Sequence, residues 1–228
     1  MKLRQRRLLG IVITAILLMV TVWQVAPQLP PLETTQPEAV QGAEIGSAVT
    51  ALESLEVKGR AAKTGYARAE FGDGWKKVNG CDTRNIILNR DMTEVVVDEA
   101  CRVVSGNLND PYTGVMIAFT RENSSAVQID HVIALSDAWQ KGAQLLTREE
   151  RIQLANDPLE LIAADGPANQ EKGDGDAATW LPKQKEFRCE YVARQIAVKQ
   201  KYRLWVTEAE KIAMARVLAA CPGQALPE

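Results

Sequence analysis

The feature that most restricts how this chain folds is an apolar, charge-free run near its start. The basic residues Lys2, Arg4, Arg6 and Arg7 precede a run from Leu8 to Trp23 that contains no charged side chain. A run of this length behind basic residues is typical of a signal peptide or a slightly short membrane span. The run is therefore not part of the globular fold, and we expect the rest of the chain outside the cytoplasm.

The sequence leaves two interpretations of residues 1–25, a cleaved signal peptide or a retained membrane anchor. The segment Gln24-Val25-Ala26 is a poor cleavage site, because Gln24 occupies a position that favours a small residue and Pro27 follows. This slightly favours an anchor, and the membrane would then be a partner of the chain. Residues 26–45 are predicted to be a linker, because several prolines lie among polar residues without apolar periodicity.

The cysteine content agrees with export. The four cysteines are too far apart for a CxxC zinc site, and they allow three disulfide pairings. We favour Cys81–Cys101 and Cys189–Cys221, because each pair closes a short local segment. In the chain-entropy description, such a bridge stabilises the fold by roughly 3 kcal/mol. The alternative is a set of reduced, buried thiols.

The remaining chain is long enough for one globular domain. The full chain has 228 residues, of which 46% are hydrophobic. Apolar residues at helical spacing predict a helical lead-in within residues 46–63, and we place the domain at residues 64–228. In its first half, β-rich segments predict strands at Arg84–Asn89, Thr93–Val97, Arg102–Val104 and Val115–Phe119.

The pattern becomes mainly helical after a strand-like segment at 127–129. Leu135, Trp139, Ala143 and Leu146 can share one helix face, and a capped second helix is predicted to begin at Thr147. A short strand is expected at Leu159–Ala163 and a turn at Asp165-Gly166-Pro167, before closing helices at 187–201 and 207–220. We therefore predict an α+β fold, a single domain in which antiparallel strands are followed by helices.

The strongest chemical signal lies between residues 128 and 174. Asp130 and His131 are adjacent at the end of a predicted strand, so their side chains point to opposite sides. A polar segment with Asn169 follows the next strand. His131 is the only histidine of the chain, so no other imidazole can act as a base near neutral pH.

These segments resemble the His-Asn-His (HNH) endonuclease superfamily with its ββα-metal, or His-Me finger, motif. More narrowly, the chain resembles exported proteins that share the domain at the C-terminus of GmrSD-type restriction enzymes (domain of unknown function 1524). The resemblance extends from about Tyr66 to Cys221. Its strongest segments are 80–85 (GCDTRN), 110–114 (DPYTG), 128–132 (QIDHV) and 168–174 (ANQEKGD).

The resemblance implies roles for four residues of the catalytic site. His131 corresponds to the general base, Asp130 to a metal-ligand carboxylate, and Asn169 to a residue that ligates or orients at the metal. Glu160 occupies the middle signature position, where the superfamily usually has Asn or His. In the family this residue braces the loop that bears the histidine, and a carboxylate can do so by accepting a hydrogen bond.

Three basic residues are candidates for substrate binding. Lys172 lies where a phosphate contact is useful, and Arg84 is assigned to the cleft by the resemblance. Lys183 begins a stretch, 183–203, with seven basic and two acidic residues, which predicts a phosphate-tracking face. A solvated lysine or helix face is the alternative interpretation. The formal net charge of −2 shows that any nucleic-acid contact must be local.

The sequence thus predicts an exported, metal-dependent endonuclease that hydrolyses phosphodiester bonds of DNA, with RNA as a further substrate. The expected cofactor is one divalent metal, Mg²⁺ first, with Mn²⁺, Ca²⁺ or Zn²⁺ as alternatives. One alternative function is an exported nucleic-acid-binding module without activity, which the departure at Glu160 keeps open. Another alternative function is a structural domain at the cell surface, in which the metal stabilises the fold. No protein partner follows from the sequence.

Overall fold

A computed structural model describes residues 47–227. The predicted N-terminal segment (1–25), the whole predicted linker (26–45) and the first residue of the predicted lead-in (46) lie outside the described residues. Within residues 47–227, no helix combines the length and apolar character needed to cross a membrane.

The described chain contains α-helices, short strands and 3-10 helices. The α-helices are α1 (Ala48–Ser54), α2 (Thr83–Asp91), α3 (Leu135–Gln140), α4 (Arg148–Ala155), α5 (Gly166–Lys172), α6 (Arg188–Tyr202) and α7 (Glu208–Leu218). The strands are β1 (Lys77–Val78), β2 (Cys81–Asp82), β3 (Thr93–Val97), β4 (Val103–Asn109), β5 (Met116–Thr120), β6 (Val127–His131) and β7 (Leu161–Asp165). Short 3-10 helices occupy Arg68–Phe71, Arg121–Asn123, Ala143–Leu145 and Lys185–Phe187.

The strands form three small antiparallel sheets within residues 47–227. These are the pair β1–β2, the three-stranded sheet β3–β4–β5 and the pair β6–β7. In the last pair Asp130 lies opposite Ile162, and His131 lies opposite Leu161. The predicted α+β fold with antiparallel strands is confirmed, and strands are confirmed at 93–97, 103–109, 116–120 and 127–131.

One predicted strand is wrong, because Arg84–Asn89 belongs to helix α2. The side chain of Asp82 accepts a hydrogen bond from the backbone N–H of Asn85 and so caps the helix. Ile87 and Leu88 are buried in a core cluster with β4 and β6. Capping and tertiary burial therefore outweigh the local strand preference of the isoleucines.

Two further local predictions need correction. The predicted turn at Asp165-Gly166-Pro167 is the start of α5, where Asp165 caps the helix and Pro167 lies in its first turn. The predicted helix face from Leu135 to Leu146 is interrupted, because α3 ends at Gln140. Gly142 follows with φ +122°, and a Cβ there would lie 3.2 Å from the ring of Trp205.

The β6–β7 pair lies between two hydrophobic clusters. Leu161 and Ala163 face the cluster with α2 and the three-stranded sheet, whereas Ile162 and Ala164 face the cluster with α3, α4, α6 and α7. This alternation follows from the two-residue period of a strand. Ala48 and Leu52 of α1 are buried in the second of these clusters, so the helical lead-in is packed into the domain core.

Both predicted disulfides are present. Cys81 pairs with Cys101, and Cys189 pairs with Cys221, so all four cysteines are bonded. The first bridge joins β2 to the turn between β3 and β4. The second joins the start of α6 to the residues after α7.

A buried cluster of charges, which the sequence analysis did not anticipate, joins α3, α6 and α7. Nζ of Lys141, with a fully buried side chain, lies 2.9 Å from Asp137, 2.7 Å from Asp176 and 2.7 Å from Glu210. Two more cations complete the cluster, because Lys199 contacts Glu210 at 3.1 Å and Arg60 contacts both aspartates. The charge cluster thus consists of three cations and three carboxylates: Arg60, Lys141, Lys199, Asp137, Asp176 and Glu210.

Candidate active site

A polar cleft opens where strand β6 ends. Helix α5 follows β7 directly and packs against β6 and β7, and residues of β6 and α5 form one side of the cleft. The cleft has a volume of ≈ 590 Å³. It brings together four of the residues predicted from the sequence: Arg84, Asp130, His131 and Asn169.

His131 is held in one tautomer by the backbone of α4. Its Nε2 lies 3.0 Å from the carbonyl oxygen of Ala155. Because a carbonyl only accepts hydrogen bonds, Nε2 carries the proton and Nδ1 keeps a free lone pair. The ring of Trp75 lies parallel to the imidazole, with 5.8 Å between ring centroids and 9° between planes. The imidazole is thus fixed, with one nitrogen able to accept a proton.

Burial, against the opposing hydrogen bond to Ala155 and with smaller contributions from the charges of Arg68 and Lys172, lowers the pKa of His131 to about 3. In an unfolded chain the pKa of histidine is about 6.5. At a pH between the folded and unfolded pKa values of His131, the unfolded state therefore binds one proton more than the folded state. At neutral pH the imidazole is neutral in the folded protein.

We expect the free energy of unfolding to fall as the pH falls from about 6.5 towards 3, by up to about 1.4 kcal/mol per pH unit from His131. The sign follows because the folded-state pKa lies below the unfolded one. Urea unfolding at several pH values, with His131→Gln as the non-titrating control, measures this contribution. A pH-independent difference between the two proteins would contradict it.

Both oxygens of Asp130 have partners inside the protein. Nζ of Lys172 lies 3.0 Å from Oδ1 and 2.8 Å from Oδ2. The hydroxyl of Tyr112 donates to Oδ2 at 2.5 Å. Burial, with the neighbouring Asp130, raises the pKa of Tyr112 well above its usual value, so the hydroxyl stays protonated and donates. Tyr112 was missed because its segment, DPYTG, has the composition of a turn.

The prediction that Lys172 contacts a phosphate is not supported by its position. Its side chain is fully buried, and besides Asp130 it donates to the carbonyl oxygen of His131 at 2.6 Å. Lys172 ends helix α5, which aims the ammonium group at the strand pair. It therefore holds Asp130 and His131 in place from within the protein.

Asn169 presents an amide oxygen at the cleft. Its Nδ2 donates to Oε1 of Gln128 at 2.9 Å, and Gln128 lies on the same strand face as Asp130. This bond fixes the amide orientation, and within residues 47–227 Oδ1 of Asn169 has no hydrogen-bond donor. Gln128 is a second residue that the sequence analysis did not identify.

Glu160 lies behind the cleft and contacts the segment that follows His131. Its carboxylate accepts from the backbone N–H of Ile133, at 3.2 and 3.3 Å, and its carbonyl accepts from Val132. The carboxylate is fully buried, and burial raises its pKa well above the usual value, against the opposing charge of Lys172. This geometry matches the bracing that the resemblance implies for the middle signature position.

Basic side chains line the cleft. Arg84 lies along one wall, where its guanidinium donates to the carbonyl oxygens of Ser124 and Val127 at 3.3 and 3.2 Å. Lys63 and Arg68, which the sequence analysis did not identify, also line it. Arg68 is exposed. The local positive charge thus comes from segments distant in sequence.

Five of the seven basic residues in the predicted phosphate-tracking face of residues 183–203 form ion pairs with carboxylates. Lys183 lies outside the cleft lining and pairs with Glu171 at 2.7 Å. Lys201 pairs with Asp157 at 2.6 Å, and Arg203 pairs with Glu150. Acidic residues from other parts of the chain therefore neutralise a basic excess that is visible only locally in the sequence.

The polar atoms of the cleft fit a hard divalent cation with few protein ligands. Among residues 47–227, no group of three or more His, Cys, Asp or Glu side chains is placed to hold a metal. A carboxylate has about four lone-pair positions, and Lys172 and Tyr112 use three of those of Asp130. The fourth lone-pair position of Asp130 and Oδ1 of Asn169 are hard oxygen donors. Two protein ligands are enough for Mg²⁺, because this ion keeps several water ligands.

Comparison with known proteins identifies the family. The sequence profile of the family described as "GmrSD restriction endonucleases, C-terminal domain" matches residues 82–217. A protein of Arthroderma benhamiae described as an uncharacterized secreted protein is 40% identical over 183 residues, covering 78% of this chain and 87% of the relative. No solved structure matches the chain significantly. The chain belongs to the family of GmrSD restriction endonuclease C-terminal domains.

Proposed function

We propose that the protein is an exported, metal-dependent endonuclease that hydrolyses phosphodiester bonds of DNA, with RNA as a further substrate. The observation that carries this proposal is the convergence of His131, Asp130 and Asn169 on one cleft, with Nδ1 of the imidazole free. The family match supports nuclease chemistry. The strand pair followed by α5 is the arrangement expected of a ββα-metal site.

In this proposal His131 is the general base. Nδ1 takes a proton from the attacking water, while the carbonyl of Ala155 retains the proton on Nε2. A phosphate bound in the cleft adds negative charge beside the imidazole and raises its pKa towards the working pH. Glu160 keeps the segment after His131 in place through Ile133.

Asp130 and Asn169 would hold the metal, which supplies charge stabilisation for the phosphate and the departing oxygen. Tyr112 and Lys172 orient the carboxylate of Asp130. The guanidinium groups at the cleft wall, Arg84 and Arg68, bind the phosphates that flank the cleaved bond.

Two observations support export. The protein has two disulfides, which persist mainly in oxidising compartments, and the relative from Arthroderma benhamiae is described as secreted. The apolar run Leu8–Trp23 would act as the export signal or as the anchor.

The test uses the full chain with its disulfides formed. We expect supercoiled plasmid to be nicked with Mg²⁺ or Mn²⁺, and nicking to stop when EDTA is present and to return when excess Mg²⁺ is added back. Agarose gels over time measure the rate. Absence of hydrolysis of both supercoiled plasmid and single-stranded DNA with every divalent metal tried, by protein with a cooperative unfolding transition, would reject the nuclease function.

A second candidate is a nucleic-acid-binding module without turnover. The contact of Lys172 with both oxygens of Asp130 favours it, because the ammonium group competes with a metal for the carboxylate. Tight binding of DNA without hydrolysis under Mg²⁺, Mn²⁺ and Ca²⁺ would establish this function instead.

A further inference from the structure

A smaller cavity opens beside the cleft and shares part of its wall. This side pocket has a volume of ≈ 180 Å³, and its lining includes Arg68, Phe71, Gly74, Trp75, His131 and Leu135. Three of these residues also line the cleft, namely Arg68, His131 and Leu135. A group bound in the side pocket would therefore lie next to the imidazole at which the proposed reaction takes place.

The walls of the side pocket are aromatic, apolar and cationic. Trp75 is half-buried and lies parallel to His131, and Phe71 and Leu135 provide buried apolar surface. Arg68 is exposed and makes no ion pair within residues 47–227, so its planar guanidinium is free to stack on a ring or bind a phosphate.

One of two glycines in the wall leaves space free of side chains, whereas a Cβ at Gly72 would lie 3.3 Å from the side chain of Ile152. Gly72 and Gly74 have φ values of +103° and +129°, which side-chain-bearing residues rarely adopt. A Cβ at Gly74 would meet nothing within 4 Å. Gly74, next to Trp75, thus presents backbone with hydrogen-bonding groups to a ligand.

The size and chemistry of the side pocket select its occupant. Its volume is below the roughly 300–1,000 Å³ typical of pockets for drug-sized ligands, so one planar ring system fits and a base pair does not. Aromatic rings and arginine planes are the surfaces on which proteins stack unpaired bases. An apolar group without charge would gain nothing from Arg68.

We propose that the side pocket binds one unpaired nucleobase, that of the nucleotide next to the cleaved phosphate. The protein then prefers single-stranded or locally unpaired nucleic acid over intact duplex. This inference rests on the proposed nuclease function for its substrate class. It adds a base-stacking subsite built by Trp75 and Arg68, and it assigns the strand preference that the sequence left open.

The test measures binding in EDTA, so that no turnover is needed. The full chain is titrated with a fluorescent oligothymidylate, with an abasic oligonucleotide of the same length and charge, and with a duplex. We expect the oligothymidylate to bind roughly five- to 150-fold more tightly than the abasic strand, which is the range of factors that stacking of one base contributes. Trp75→Leu should reduce this ratio towards one, whereas Trp75→Phe should retain most of it.

The controls separate stacking from charge. Arg68→Gln should weaken both single strands, and Trp75→Leu should leave the abasic affinity unchanged. Equal affinity of the wild-type protein for oligothymidylate and abasic strands, or tighter binding of duplex, would overturn the subsite. Base-dependent binding by a protein that hydrolyses neither plasmid nor single-stranded DNA would retain the subsite and reject the nuclease. Metal-dependent cleavage by a protein that binds both single strands equally would retain the nuclease function and reject the subsite.

Discussion

Replacement of His131 by alanine is expected to lower the rate of phosphodiester hydrolysis by roughly 10²–10⁴-fold, the usual contribution of a positioned general base. The chain has no second histidine to take over. The fixed Nδ1 of His131 is the group proposed to accept the proton of the attacking water. Initial rates of plasmid nicking at saturating Mg²⁺, for wild type and variant, measure the loss.

Two controls distinguish lost chemistry from lost structure. The unfolding transition of His131→Ala should remain cooperative, although removal of a buried ring costs stability. Imidazole added to the solution should restore part of the activity of the alanine variant, because the truncation leaves space beside Trp75 and Ala155. Nicking by His131→Ala at the wild-type rate would reject His131 as the base.

Replacement of Lys141 by methionine is expected to lower the free energy of unfolding by about 3–5 kcal/mol. The side chain of Lys141 is fully buried and contacts Asp137, Asp176 and Glu210. Methionine has a similar volume but leaves three buried carboxylates with only two cations, Arg60 and Lys199. An uncompensated buried charge accounts for most of the loss. Urea unfolding at neutral pH measures it.

A matched control is Lys183→Met. Lys183 also pairs with one carboxylate, that of Glu171, but its side chain is 66% exposed. The exposed pair should contribute no more than about 1 kcal/mol, because water screens it. Similar losses from the two lysines would show that burial of the charge cluster does not determine its contribution.

The charge cluster also bears on the cleft. Asp137 follows Ser136, which lines the cleft and donates to Asp174 at 3.2 Å, and Asp176 follows the segment that closes α5. The cluster thus anchors two cleft segments to α6 and α7. Its partners are separated by up to about 150 residues in sequence, between Arg60 and Glu210. No local pattern indicates such a contact, so the sequence could not reveal it.

Features that depend on short spacing were predictable from the sequence. The adjacent Asp130 and His131 end a strand, and Asn169 lies on the helix after the next strand, as the two motifs in order indicate. Both disulfides close local segments, as predicted. The capped start of α4 at Thr147 was likewise visible, because capping depends on residues three positions apart.

Tertiary structure decided those features that depend on contacts between residues distant in sequence. The segment Arg84–Asn89 became helical because capping by Asp82 and burial of Ile87 outweighed its strand preference. Lys172 turned inward to Asp130, and Lys183 was neutralised by Glu171. The sequence by itself determined the chemical groups and their order along the chain. Their charge state, accessibility and neighbours followed from burial, because desolvation and ion pairing depend on what folding brings within a few ångströms.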